Sequence, residues 1–193
     1  TRIPDRPANP SAEYLQNEGQ VYLLRYPMLT GTAHHFSVMI DLRAQSDDLN
    51  VTGLEFHLIK GDSQSEKVRL YYSYRTRGRN IYNPINVGKL GQVLQNDACP
   101  YGPVQILQDH EIVAWVSLRF SNFIKSYCHQ DNHWGVQCNC QTFARSLIGD
   151  LGLQWPADVQ VTSVEYPWVM QWAEHFNKGR VRSHRSTSKT CSL

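Results

Sequence analysis

The chain lacks any long apolar run. No stretch of 18 apolar residues occurs among its 193 residues, so the sequence predicts no transmembrane helix. A secretory signal is also missing, but the chain begins with Thr1 rather than Met, so this absence decides nothing about a leader. The compartment stays open between the cytoplasm, which we favour, and secretion.

The chain has little net charge, and that charge is unevenly placed. The formal net charge is +2, while residues 178–193 hold five basic residues and no acid, which leaves −3 for the remainder. We expect an N-terminal extension over 1–18, a single domain over 19–177, and a basic, disordered tail over 178–193. Such a tail suits weak contact with an anionic surface, or simple solvation.

Signals for nucleotide or nucleic-acid binding are weak or missing. Residues 87–91 contain a Gly-Lys pair but lack the Gly-Lys-Ser/Thr ending of a phosphate-binding loop. Tyrosines and arginines cluster between residues 69 and 82, and a solvent-facing strand explains them as well as a base-stacking surface does. We therefore predict no nucleic-acid partner and no cofactor.

Cysteine is scarce and its count is odd. The five cysteines fit one reactive thiol beside four others, which would form two disulfides in a secreted protein and stay reduced in the cytosol. Their pairing is open at this point. They are Cys99, Cys128, Cys138, Cys140 and Cys191.

Cys140 stands where a loop meets an amphipathic helix. Phe143, Leu147, Ile148 and Leu151 follow it at helical spacing. A thiol at a helix N-terminus lies near unpaired N–H groups and the positive end of the helix dipole, which favour thiolate and predict a pKa below the ordinary value of about 8.5. The same N–H groups can hold an oxyanion. The alternative is a buried structural cysteine.

Two histidines on predicted strands supply a candidate base. Strands are predicted at 20–26, 34–42 and 52–59. In the second strand, alternation sends His34 to the side of Phe36 and His35 to the other side, at the strand start, facing an open edge or cleft. His57 lies on the third strand. A Cys–His–His relay would use His35 as the base and His57 to fix its tautomer, although each histidine also suits a packing or surface role.

The order of these segments resembles a known family. Gly19–Arg25, His35-Phe36-Ser37-Val38, Phe56-His57-Leu58 and Asn139-Cys140-Gln141-Thr142-Phe143 are similar to the motifs of the lecithin:retinol acyltransferase-like family and of the PPPDE peptidases. Both belong to the circularly permuted, NlpC-type papain-like cysteine enzymes. The resemblance implies an α+β fold over residues 19–152, with an antiparallel sheet of four to six strands packed against a helix that carries the cysteine at its N-terminus.

The resemblance also implies a chemistry. It makes residues 19–177 a catalytic domain for thiol-dependent acyl transfer, as an acyltransferase or a hydrolase of ester, thioester or amide bonds. Cys140 would be the nucleophile, His35 the base and His57 the orienting group, acting on an acyl, lipid or peptide substrate through an acyl-enzyme. The alternative within this chemistry is a cysteine peptidase or isopeptidase acting on a protein or modifier conjugate. Oxyanion or supporting candidates are Asn139, Gln141 and Tyr22, with Tyr26 beside Tyr22.

A zinc site is the rival interpretation of the cysteine-rich segment. Cys128, His133, Cys138 and Cys140 offer four ligands, which would make the chain a zinc-stabilised binding module without enzymatic activity. Against this, structural zinc sites usually place at least two residues between paired cysteines, and Cys138 and Cys140 have one. We therefore predict no metal.

The rest of the chain gives coarser signals. Residues 67–74 predict a strand followed by a basic turn over 75–79. Residues 111–120 suit a helix or a strand, and residues 163–177 predict a helix that covers the core.

Overall fold

Five antiparallel strands form the centre of the fold. The computed structural model describes residues 19–26, 35–60, 67–90, 109–128 and 132–161, with no side chain for Lys60. The strands found there are β1 (Gln20–Tyr26), β2 (His35–Asp41), β3 (Asn50–Lys60), β4 (Val68–Gly78) and β5 (Ile85–Lys89). The helices are α1 (Arg79–Tyr82), α2 (Asp109–Tyr127) and α3 (Cys140–Asp150).

The strand order is β4-β3-β2-β1-β5, and every pairing between neighbours is antiparallel. Four of the strands were predicted from the sequence, and β5 was not. The predicted α+β class with an antiparallel sheet of four to six strands is confirmed, and so is the helix that begins at Cys140. The polar segment between β2 and β3 is a loop, in which the Asp41 carboxylate accepts hydrogen bonds from three backbone N–H groups.

The sheet has two distinct faces because neighbouring side chains of a strand point in opposite directions. Phe36, Val38 and Ile40 of β2 lie in the main core, which α3 helps to enclose through Phe143 and Leu147. The other face holds a second apolar cluster, made of Tyr22, Leu24, Tyr26, Met39 and Val51, with Tyr82 packed against it. The Phe36 side of β2 therefore packs on the main core.

Helix α2 settles the ambiguous segment at 111–120. Its buried residues are Ile112, Val116 and Phe123, which are four and seven residues apart and so lie on one helical face. The ring of Phe123 meets Phe143 of α3 edge to face, with centroids 5.4 Å apart. None of the helices in the described ranges combines the length and apolar character needed to cross a membrane.

One of the coarser sequence predictions is wrong, and three concern residues outside the described ranges. The basic turn predicted over 75–79 is wrong. Strand β4 continues through Gly78, and the short helix α1 begins at the next residue. Arg77 stays in the strand opposite Val51, and its guanidinium binds the Glu55 carboxylate. The predicted helix over 163–177, the extension over 1–18 and the tail over 178–193 lie outside the described residues.

A disulfide joins Cys128, just after α2, to Cys138, two residues before α3. The sequence analysis left this pairing open. The disulfide removes Cys128 and Cys138 from the proposed set of four zinc ligands, because bonded sulfurs are not thiolates. Cys140 is a free, buried thiol.

Gly53 gives a stability test of the β2–β3 contact. A Cβ atom at Gly53 would lie 2.4 Å from the Ile40 carbonyl oxygen, which is backbone and cannot rotate away. We expect Gly53→Ala to lower the free energy of unfolding by about 1–3 kcal/mol. Gly149→Ala in α3 is the matched control: its Cβ meets nothing within 4 Å, so it should gain about 0.5–1 kcal/mol. Urea unfolding measures both, and equal effects would contradict the close approach.

Candidate active site

Asn139 fixes the start of the helix that carries Cys140. Its side-chain oxygen accepts hydrogen bonds from the backbone N–H groups of Gln141 and Thr142, and the Thr142 hydroxyl accepts from the N–H of Asn139. Its amide nitrogen donates to the carbonyls of Gly135 and Val136. Asn139 therefore acts as a helix cap that also ties the preceding loop to α3.

The Cys140 thiol lies in the core at this helix start. The side chain is 1% exposed, and its sulfur has hydrogen-bonding contacts with the backbone at Phe36, Cys140 and Gln141. These contacts lower the pKa of the thiol, as N–H donors do for a group that becomes an anion. Burial acts in the opposite direction and dominates, which raises the pKa of Cys140 to about 12.

The predicted low pKa of Cys140 is therefore wrong for the thiol in this buried state. The sequence correctly predicts the helix start and its N–H groups, but it does not show how far the sulfur is removed from water. Loss of hydration disfavours the thiolate more than three backbone contacts favour it. The resting sulfur at neutral pH is a thiol.

His35 and His57 form a direct pair. His35 begins β2, His57 lies on β3, and Nε2 of His35 is 2.7 Å from Nδ1 of His57. The rings are edge to face, with centroids 5.0 Å apart. Both are buried, at 4% and 1% exposed, so the expectation that His35 faces an open edge or cleft is wrong. The two predicted histidines are thus brought together across 22 residues of sequence.

Cys140 and the histidine pair approach the same end of β2 from different sides. Alternation puts His35 on the face opposite Phe36, so the pair lies opposite the face that α3 covers. The β2–β3 ladder, however, ends at Val38, and Phe36 lies beyond it. The N–H of Phe36, which meets the Cys140 sulfur, belongs to the peptide group that joins His35 to Phe36. The sulfur thus lies beside the backbone of His35.

Burial also sets the charge state of the two imidazoles. It lowers the pKa of His35 well below its ordinary value, with the neighbouring His57 as a second cause. It lowers the pKa of His57 to about 3, with the positive charges of Arg77 and Arg75 adding to the effect. Both rings are neutral at physiological pH, so one ring nitrogen of each can act as a base.

A buried polar group beside the histidines was missed by the sequence analysis. Glu55, two residues before His57 on the same face of β3, accepts hydrogen bonds from the hydroxyls of Tyr26 and Ser37. Its other oxygen binds Arg77 through Nε at 3.0 Å and Nη2 at 2.8 Å. The signal available in the sequence was the two-residue spacing of Glu55 and His57, which places a carboxylate next to the imidazole.

The remaining candidates are divided by the sheet geometry. Tyr26 pairs with His35 across the β1–β2 ladder, whereas Tyr22 pairs with Met39, four residues away along β1. Four residues of strand span roughly 13 Å, so Tyr22 lies away from the histidine pair.

Gln141 is buried in the first turn of α3, and its backbone N–H donates to the side-chain oxygen of Asn139. In the described part of the chain, no three His, Cys, Asp or Glu side chains converge as metal ligands.

The pKa of Cys140 predicts how its alkylation depends on pH. At pH 8 a thiol with a pKa of about 12 is roughly one ten-thousandth thiolate, and the thiolate is the reactive form. Iodoacetamide labelling of the native protein should therefore be slow at pH 7–8 and rise about tenfold per pH unit up to the limit of folding. Peptide mapping follows Cys140 alone. Unfolded chain is the control, with an ordinary pKa near 8.5, and a native plateau near pH 8 would contradict the expectation.

Substitution of Asn139 separates its two roles. Asn139→Ala removes the helix cap and should cost about 1 kcal/mol of unfolding free energy, and up to 2 kcal/mol. Asn139→Asp keeps the oxygen that accepts from Gln141 and Thr142 but loses donation to Gly135 and Val136. We expect the Asp variant to keep most of the stability in thermal unfolding. A loss for Asp as large as that for Ala would show that the loop contacts outweigh the cap.

Comparisons with models of protein families, with curated protein sequences and with solved structures found no match to this chain. The chemistry of the site therefore rests on the geometry of its own residues.

Proposed function

We propose that this chain is a thiol-dependent acyl-transfer enzyme in which Cys140 is the nucleophile, His35 the base and His57 the orienting group. One observation carries the proposal: the His35–His57 hydrogen bond lies at the end of β2 where the Cys140 sulfur contacts the N–H of Phe36. The three residues are of types that serve nucleophilic catalysis. Cys140 and His35 lie on opposite faces of the sheet, so the mechanism requires their side chains to meet around the end of β2. We further propose that the sheet and α3 are those of a permuted papain-like domain.

The hydrogen bond assigns roles to the nitrogens of His35. Nε2 is held by His57, so Nδ1 is the atom that takes the thiol proton. When His35 is protonated at Nδ1, its Nε2–H donates to Nδ1 of His57, which stabilises the imidazolium and holds the ring in place. His57 is neutral under these conditions and able to accept, because burial lowers its pKa to about 3.

The reaction proceeds by displacement at a carbonyl. Substrate binding must first uncover the sulfur, which is buried in the resting state. The Cys140 sulfur forms a bond to the carbonyl carbon while its proton passes to His35, and the N–H of Cys140 at the helix start donates to the oxyanion. The leaving group takes the proton from His35 as its bond to carbon breaks. Water or an acceptor amine or alcohol, deprotonated by His35, then releases the acyl group and restores the thiol.

The buried, protonated thiol requires a base in this mechanism. With a pKa of about 12, Cys140 does not supply a thiolate at neutral pH by itself. A neutral imidazole that reaches the sulfur can remove the proton as the carbon–sulfur bond forms, and such general-base help is worth about a hundredfold to ten-thousandfold. The lowered pKa of His35 keeps this base unprotonated down to pH values well below 6.5.

Single-turnover acylation tests the proposal. We expect Cys140→Ala to abolish acyl-enzyme formation from a p-nitrophenyl ester or thioester, and His35→Ala to lower its rate at least a hundredfold. His57→Ala should fall between wild type and His35→Ala, because the base remains but loses its orienting partner. The acid limb of the wild-type rate should lie below pH 6.5, since burial lowers the pKa of His35.

His34→Ala is the matched control. His34 lies outside the described residues, and strand alternation predicts that it points to the Phe36 side, away from His57. Because His57 is the orienting partner in the proposed relay, we expect loss of His34 to leave most of the acylation rate. A dead His34 variant beside an active His35 variant would reverse the assignment of the base. Full activity in both would remove the Cys–His mechanism. A parallel assay with peptide amide substrates separates peptidase from ester and thioester chemistry.

A further inference from the structure

Glu55 is almost completely removed from water and fully used as an acceptor. It is 1% exposed, and it binds four donors: the hydroxyls of Tyr26 and Ser37 at one oxygen, and two guanidinium nitrogens of Arg77 at the other. A buried carboxylate is stable only when charge and hydrogen bonds replace its hydration. The four donors come from β1, β2 and β4, so Glu55 links three strands of the sheet to its own.

Tyr26 connects this carboxylate to both histidines. Its hydroxyl donates to Glu55, while its ring stacks on His57 with an interplanar angle of 13° and a centroid distance of 6.3 Å. The same ring meets His35 edge to face at 5.2 Å. Because the hydroxyl and the ring are one rigid body, fixing the hydroxyl on Glu55 also fixes the surface against which the imidazoles rest.

Arg77 places a positive charge near the histidine pair, and Glu55 is its ion-pair partner. Its guanidinium carbon lies 5.5 Å from the Tyr26 ring centroid, so the positive charge is close to the histidine cluster. A lone cation there would oppose a second positive charge on His35, and Coulomb interactions are strong where water is excluded. Glu55 offsets this cation through the ion pair at 2.8 Å.

We propose that Glu55 is a positioning residue of the site, which acts through Tyr26 to hold the His35–His57 pair in its hydrogen-bonded arrangement and offsets the charge of Arg77 during proton transfer. The inference rests on the proposed function for the use of that pair by Cys140. The arrangement of the rings can be measured without any substrate.

Two variants test the role of Glu55, and one serves as control. Glu55→Gln keeps the shape and one acceptor oxygen but removes the charge. Tyr26→Phe keeps the ring contacts and removes only the hydroxyl that reaches Glu55. Asp109→Asn is the matched control, since Asp109 forms a comparable partly buried ion pair with Arg43 at 2.5 Å, between the loop after β2 and the start of α2.

The first readout is nuclear magnetic resonance of the histidine rings. We expect the N–H proton shared by His35 and His57 to exchange with water at least tenfold faster in Glu55→Gln and Tyr26→Phe, with changed ring nitrogen shifts, and to be unaffected in Asp109→Asn. If Glu55→Gln does not fold, Tyr26→Phe decides alone. Unchanged ring signals in Tyr26→Phe, or equal changes in the control, would overturn the proposal.

The second readout is the pH profile of single-turnover acylation. Glu55→Gln should lower the plateau rate at least tenfold with little change in the substrate concentration for half-maximal rate, and move the acid limb to lower pH, because Arg77 is no longer offset. A uniform loss without a shift of the limb would show a purely structural role. Ring signals that respond as expected, in a wild-type protein that forms no acyl-enzyme, would retain the positioning role and reject the enzyme.

Discussion

The end of the β2–β3 ladder is the feature on which the site depends. The two strands pair only from Val38 to Ile40 on β2. Beyond this point, the backbone N–H of Phe36 contacts the sulfur of Cys140. Because the ladder stops, a helix on one face and two imidazoles on the other reach the same strand end. The sheet therefore lies between the two groups, and its β2–β3 ladder stops at the strand end that both approach.

Exclusion of water keeps Cys140 and both histidines uncharged. Burial raises the pKa of Cys140 and lowers those of His35 and His57, so all three are neutral at rest. The charges beside them, on Glu55 and Arg77, are paired with each other. The resting site therefore holds no thiolate–imidazolium ion pair. The low dielectric raises the free energy of a charge on any of the three groups. It also strengthens the interaction of such a charge with nearby dipoles.

The local part of this arrangement could be predicted from sequence, and the non-local part could not. Alternation along His35-Phe36-Ser37-Val38 assigns the faces of β2, and Asn139 marks the helix start, because both signals lie within a few residues. Arg77 continues β4 opposite Val51 and binds Glu55 on β3, and no local sequence pattern encodes either contact. The acidity of Cys140 was misjudged for the same reason, since desolvation is set by distant segments that pack over the sulfur. The fold class follows from periodicity, while the electrostatics follow from tertiary packing.

The disulfide beside the free thiol constrains the order of events in folding. Cys138 and Cys140 are separated by one residue, and in an unfolded chain either can reach Cys128. The loops that would close have nearly the same length, so chain entropy barely distinguishes the two pairings. The native structure favours the Cys128–Cys138 pairing, because it buries Cys140 in the first turn of α3 against Phe36. Correct oxidation therefore depends on docking of this helix, and an oxidant that acts earlier would trap Cys140 in the wrong bond.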